Sequence, residues 1–278
     1  REFPLSSLAR KAGIQLGLLY YNDNQPEKAL AAYKQVISNY PGSEEAKIAL
    51  QDLKSVYIDL NDINAYASYV NSIGGNIRLE VGEQDSLTYI AAEKLFMRGD
   101  NDGARRSLIN YLQTFPEGAF SSNANFYLGS IAFAKKEFDE AIQRFKSVIA
   151  SGDTKFLEES VARTAEIEYL SKDYPAALES FKRLQIVAEN PENRQAARLG
   201  IMRCALQTGQ QKDALLAADE LLKEPKLSPE LEAEARYVRA KAYIAQKQAN
   251  KALADLKELS KDTRTVHGAE AKYLLAQL

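Results

Sequence analysis

One spacing constrains the chain more than any other feature. A close-packing slot recurs at Ala29, Tyr66, Ala104, Ala141, Ala177, Ala214 and Ala252, in steps of 37, 38, 37, 36, 37 and 38 residues. Four residues after each stands Tyr33, Val70, Leu108, Phe145, Phe181, Ala218 or Leu256, apolar every time. Self-similarity at such a period marks a stack of small units, because one unit cannot bury its apolar face alone. Length alone, at roughly 100 to 200 residues per domain, would divide the 278 residues in two. The array predicts instead one continuous solenoid over residues 1–278, with units starting near 10, 47, 85, 122, 158, 195 and 233 and a terminal helix from about 269.

Within a unit the pattern is that of two antiparallel helices. In the first unit, Gly17 of one helix and Ala29 of the other fall where the helices cross most closely, while Leu16, Tyr20 and Tyr33 fill the space around the crossing. Pro26 and Glu27 suit the first turn of the second helix and Pro41 ends it. In the fourth unit Ala124, Tyr127, Leu128, Ile131 and Ala132 follow a helical stripe, as do Phe138, Ala141, Ile142, Phe145, Val148 and Ile149. Strand alternation is missing, so the expected class is all-α.

The departures carry expectations of their own. Lys54 and Tyr66 put large residues in both close-contact slots of the second unit, which predicts splayed or shifted helices. From Gly74 to about Asp85 the periodicity breaks, which predicts a bend. Gly99-Asp100-Asn101-Asp102-Gly103 has spaced carboxylates, but a calcium loop would need a bidentate Glu where Tyr111 stands, so a turn and helix N-cap are expected. Phe3-Pro4 lies thirteen residues before Gly17, as Phe115-Pro116 does before Gly129; it is either the tail of a preceding unit or a cloning remnant. Tyr273-Leu274-Leu275-Ala276 matches Tyr237-Val238-Arg239-Ala240, so a capping helix or a further unit is expected there.

Chemistry-bearing residues are few. A net charge of −2 without a basic cluster argues against nucleic acid as partner. The one histidine, His267, and the one cysteine, Cys204, lie in different units, and neither metal ligands nor a cofactor loop accompany them. Cys204 could react if Arg203 lowered its pKa; otherwise it is a small packing residue. Glu44-Glu45 and Glu158-Glu159 are adjacent pairs that diverge on a helix and favour its positive end. No apolar run reaches the roughly 18 residues a membrane span needs. No catalytic, metal or cofactor residue is expected, and the chain is expected not to be an enzyme.

The run Leu16-Gly17, Tyr20, Ala29, Tyr33 and Pro41 resembles a tetratricopeptide (TPR) repeat. That resemblance implies a right-handed α-solenoid of about seven helix-turn-helix repeats, with a partial repeat at each end. The tail Tyr33-x-x-Val36-Ile37-x-x-Tyr40-Pro41-x-Ser43-x-x-Ala46 is similar to bacterial envelope TPR proteins of the outer-membrane assembly (BamD) and TolA-binding (CpoB) type. It implies a periplasmic or envelope-associated scaffold within a multiprotein complex. The Lys/Asn/Arg clamp of chaperone-tail binders is not matched, since Ile14 and Leu18 stand at the corresponding inner positions.

In TPR arrays the first helices line a concave groove. Inner positions counted from the glycine slot give Tyr89, Glu93, Phe96, Phe126, Phe133, Glu166 and Tyr169 as the expected partner-binding residues. These rings either meet a partner peptide or helix or pack between neighbouring first helices. The expected function is a scaffold that binds another protein in this groove. The alternative is a regulatory or substrate-presenting module of an enzyme whose catalytic domain lies outside the chain.

Overall fold

A left-handed backbone residue closes each helical hairpin and sets the architecture. Asn24, Asn61, Gly99, Lys136, Lys172, Gly209 and Lys247 have φ between 54° and 82°, each five residues before the close-packing slot. At Lys172 the turn closes with backbone bonds from Lys172 N to the Tyr169 carbonyl and from Asp173 N to the Glu168 carbonyl, both 2.9 Å. These bonds satisfy carbonyls that the helix end would otherwise leave open.

The computed structural model describes residues 6–74, 77–152 and 154–278. Phe3-Pro4, Gly75 and Asn76 lie outside the described residues. Among the described residues there are fifteen helices and no strand. They are α1 (Ser7–Asn22), α2 (Pro26–Asn39), α3 (Glu44–Asp59), α4 (Ile63–Ile73), α5 (Val81–Met97), α6 (Asn101–Thr114), α7 (Ser121–Ala134) and α8 (Phe138–Ser151). They continue with α9 (Leu157–Leu170), α10 (Tyr174–Val187), α11 (Pro191–Gln207), α12 (Gln211–Leu222), α13 (Pro229–Ala245), α14 (Ala249–Leu259) and α15 (Val266–Gln277). The chain forms two compact units, Arg1–Leu128 and Gly129–Leu278.

Local chemistry accounts for the boundaries. Ser43, Asp62, Asp100, Asp173 and Thr265 cap helices by accepting backbone N–H bonds from the third residue onward. Pro26, Pro175, Pro191 and Pro229 occupy first turns, where a missing N–H costs nothing. Asp100 accepts from Gly103 N at 2.9 Å, so this acidic stretch is a cap, as its sequence predicts.

In the first unit Ala29, Tyr33, Leu53, Tyr57 and Tyr66 form part of one buried cluster. The α3–α4 hairpin is open: its backbones approach at far fewer places than those of α1–α2 or α5–α6. That opening agrees with the large residues Lys54 and Tyr66 in the two slots, and Tyr57 packs against Tyr66 across it with ring centroids 6.0 Å apart. The break after Gly74 is shorter than expected, because α5 begins at Val81 and Asp85 is already buried within it. Asp85 accepts from Tyr111 Oη at 2.5 Å and from Ala119 N at 2.9 Å, tying α5 to α6 and to the loop that follows.

In the second unit the close-packing slots Ala141, Ala177, Ala214 and Ala252 are all fully buried. Gly129 shows why the partner slot is small, since a methyl there would meet the Phe145 ring at 2.8 Å. α9 to α13 share one apolar core that includes Val161, Ala165, Leu178, Phe181, Met202 and Val238. Asp255 of α14, 2% exposed, is clasped by Arg236 and Arg239 of α13, and Arg239 also holds Asp219 of α12 at 2.9 Å.

Candidate functional site: a groove between first helices

Helices α9 and α11 are the first helices of consecutive hairpins, and α10 packs behind both. Between them runs a groove of about 370 Å³. Its floor is apolar: Tyr169 of α9, Phe181 and Leu184 of α10, and Leu199 of α11. Gly200 belongs to the same floor, because its bare Cα lets α11 sit directly on the Phe181 ring, which a methyl would strike. Tyr169 stands edge-on to Phe181, with centroids 6.4 Å apart, and to Tyr174 at 5.7 Å. Its ring is thereby fixed while one side of it stays open to the groove.

The rim is charged. Arg163 donates to Glu159 at 2.8 Å and to Glu166 at 2.9 Å, and its guanidinium lies 4.8 Å over the Phe133 ring. On the other wall Arg203 makes two 2.7 Å bonds to Glu234 of α13. Those bonds raise the Arg203 pKa, against the opposing effect of burial. Four charged residues therefore line the groove, Glu159 and Glu166 against Arg163 and Arg203, and Arg203 is already paired with Glu234 outside the lining.

Of the expected partner-binding residues, Phe133, Glu166 and Tyr169 lie in this unit, half-buried, and Glu166 and Tyr169 line the groove. Tyr89, Glu93, Phe96 and Phe126 belong to the first unit. Tyr89 does not face a groove: it is 2% exposed, stacked on Phe120 at 4.5 Å and edge-on to Tyr111. Its hydroxyl donates to Glu93 at 2.6 Å and accepts from Asn123 at 3.1 Å, so the ring belongs to the core. Burial and the bond to Glu93 raise its pKa well above the ordinary phenol range. Glu93 is half-buried and also accepts from Tyr127 at 3.0 Å. Phe96 and Phe126 are half-buried against Tyr127, at 4.6 and 5.7 Å.

Arg163 is the rim residue that counting inner positions misses, since it falls two residues before the small slot at Ala165. Its signal was present as Glu159-x-x-x-Arg163-x-x-Glu166, spacings at which helix side chains meet. Cys204 is fully buried, its thiol pushed up to about 11 by burial against a smaller opposing effect of Arg203, so it packs as a small apolar residue. His267 lies against Tyr237 at 4.9 Å. Among the described residues no group of three or more His, Cys, Asp or Glu could hold a metal ion, and no helix is long and apolar enough to cross a membrane.

Comparison with known families matches tetratricopeptide repeats at residues 12–43 and 91–154. No curated protein matches the sequence. Among solved structures, YrrB, described as a TPR protein with an unusual peptide-binding site, is 18% identical over 67% of this chain and 91% of its own, with a TM-score of 0.51. The C-terminal part of a TPR repeat-containing protein from Cytophaga hutchinsonii is 15% identical over 93% and 98%, with a TM-score of 0.49. PilF of Pseudomonas aeruginosa is 17% identical over 81% and 95%, with a TM-score of 0.42. The likeness to YrrB supports the all-helical repeat fold, and the family matches agree with the hairpins described above. Residues 12–43 and 91–154 thus match tetratricopeptide repeats within an all-helical repeat fold, and repeats of this kind generally serve as protein–protein interaction modules.

Proposed function

We propose that the chain is a non-catalytic scaffold that binds a segment of another protein in the groove between α9 and α11. The observation that carries this reading is the apolar floor of Tyr169, Phe181, Leu184 and Leu199 under a charged rim, in a volume of about 370 Å³. Apolar floors supply binding energy and charged rims supply orientation and on-rate, the division found in protein recognition sites. Phe133 and Glu166 extend the same face. Glu93, Phe96 and Phe126 are candidates for contacts on the first unit, where Tyr89 supports them from within.

For location we propose the bacterial envelope, as part of a multiprotein complex. Its support is the tail from Tyr33 to Ala46, and fractionation of cells expressing the full-length gene product tests it.

The functional test begins with purification of a partner on the immobilised chain and titration of that partner against variants confirmed to be helical. Tyr169→Ala should weaken binding by roughly 2 kcal/mol or more, as truncating a true anchor does. Tyr273→Ala, at a ring 65% exposed on α15, should leave it unchanged. Equal affinity for Tyr169→Ala, Phe133→Ala and the parent chain would remove the site from this groove.

A further inference from the structure

We propose that the α9–α11 groove recognises a pair of partner side chains, one large and apolar beside one lysine or arginine, and that Arg163 competes with the partner's cation. This deepens the reading above and rests on it.

The argument is one of charge balance around a fixed shape. Glu159 and Glu166 are 43% and 46% exposed at their side chains, and the single guanidinium of Arg163 serves both. Arg203 offers nothing to offset the remainder, because Glu234 engages it through both carboxylate oxygens. The edge of the apolar floor thus keeps one negative charge in excess. A partner cation placed there neutralises it, while the neighbouring apolar side chain fills the space over Tyr169 and Phe181.

The chain already displays the arrangement such a cation would enter. Arg163 sits over an aromatic ring, at 4.8 Å from the Phe133 centroid, between two carboxylates. Both ion pairs are exposed and span one helix, so they are weak and easily exchanged. Arg163 is therefore an internal competitor: its bonds must be shared or released when the partner's cation arrives. If it were only a structural brace, removing it would loosen α9 and weaken binding. Competition predicts the opposite sign.

The experiment selects 12-residue peptides from a randomised display library on the full chain. A synthetic peptide of the resulting consensus is then titrated by fluorescence polarisation against the parent chain, Arg163→Gln, Glu166→Gln and Tyr169→Ala. The consensus should pair a large apolar residue with Lys or Arg. Arg163→Gln should tighten binding about two- to fivefold at low salt and Glu166→Gln should weaken it by a similar factor, the range expected of one exposed charge pair. Both differences should shrink as salt rises. Ala196→Trp, on the exposed side of α11 at the groove wall, blocks the site without touching the core and should abolish binding. A consensus with acidic or uncharged flanks, or an Arg163→Gln protein that binds equally or more weakly, overturns the proposal. If Tyr169→Ala and Ala196→Trp still lose binding in that case, the groove stands as the interaction site. Peptides indifferent to both variants, or no selected peptide at all, overturn the groove reading and the proposal together.

Discussion

A lysine in the left-handed region carries a steric cost that glycine does not, about 1–2 kcal/mol per residue. Lys136, Lys172 and Lys247 accept that cost at φ of 61°, 62° and 60°, in the turn position where Gly99 and Gly209 relieve it. Lys172 is exposed, so its side chain contributes little there. Lys172→Gly should therefore stabilise the protein by about 0.5–1 kcal/mol, less than the full steric term because glycine is also more flexible in the unfolded chain. Gly209→Lys should destabilise by a similar amount, and chemical denaturation checks both; opposite signs would mean that tertiary contacts set these turns. The slot recurs five residues ahead of each close-packing position, yet of the seven only Gly99 stands in a stretch whose sequence predicts a turn. Asparagine and glycine announce a turn, whereas lysine has no preference for one, and only the backbone shows that all three residue types adopt the same conformation. The core slots were legible for the converse reason: Ala141 and Phe145 leave a stripe that periodicity detects, and both are fully buried.

At the scale of elements, helix existence was legible and some helix starts were not. Glu80 caps α5 without a side-chain bond and Val81 is 73% exposed, so neither a cap nor an apolar stripe marks that boundary. Asp85, where the break in periodicity is expected to end, is instead inside α5 as the buried acceptor that fixes the segment after α6. The same masking affects the groove. Tyr89 falls at an inner position by count, but Phe120 and Tyr111 enclose it from a loop and a second helix whose approach no local pattern announces. Glu158, expected as a solvated helix start, turns out to hold the connection between α10 and α11. It accepts from Glu189 N at 2.9 Å, Asn190 N at 3.1 Å and Asn193 Nδ2 at 2.7 Å. Burial opposes its ionised form, but these three bonds and the nearby Arg194 prevail and lower its pKa below the usual carboxylate value. A depressed pKa stabilises the fold above the unfolded-state value, and that contribution is lost as pH falls through the folded-state value. Glu158→Gln should thus cost about 1 kcal/mol at pH 7, and the gap to the parent should close as pH drops through and below the ordinary carboxylate range. Thermal melts of both proteins from pH 7 to pH 3 test this, and a gap that stays constant with pH would assign the loss to shape instead of charge.

At the scale of the molecule, repeat arrays differ from single-core domains in how far a perturbation spreads. Each hairpin touches its neighbours, so stability is close to a sum of unit and interface contributions, and damage should decay along the chain. The last helix gives a clean test. α15 contributes Ala271, Leu274 and Leu275 to a cluster with Ala240, Leu256 and Leu259 of α13 and α14. A chain ending at Lys261 loses that cover. At about 25 cal/mol per Å² of apolar surface, uncovering part of two leucines and their partners should lower the local stability of α13 and α14 by about 2 kcal/mol, or ~30-fold faster amide exchange. The ion cluster modifies the decay, because Asp255, Arg239 and Asp219 join α14, α13 and α12. Exchange in α12 should accelerate too, by a smaller factor, whereas α9 and α10 should keep the protection of the intact chain. Adding Asp219→Asn, which unlinks α12 from Arg239, should confine the loss to α13 and α14. Exchange measured by mass spectrometry on the three proteins separates the possibilities. Equal loss across all helices from α8 onward would show that this unit unfolds as one cooperative body, so that nearest-neighbour coupling does not limit how far the damage travels.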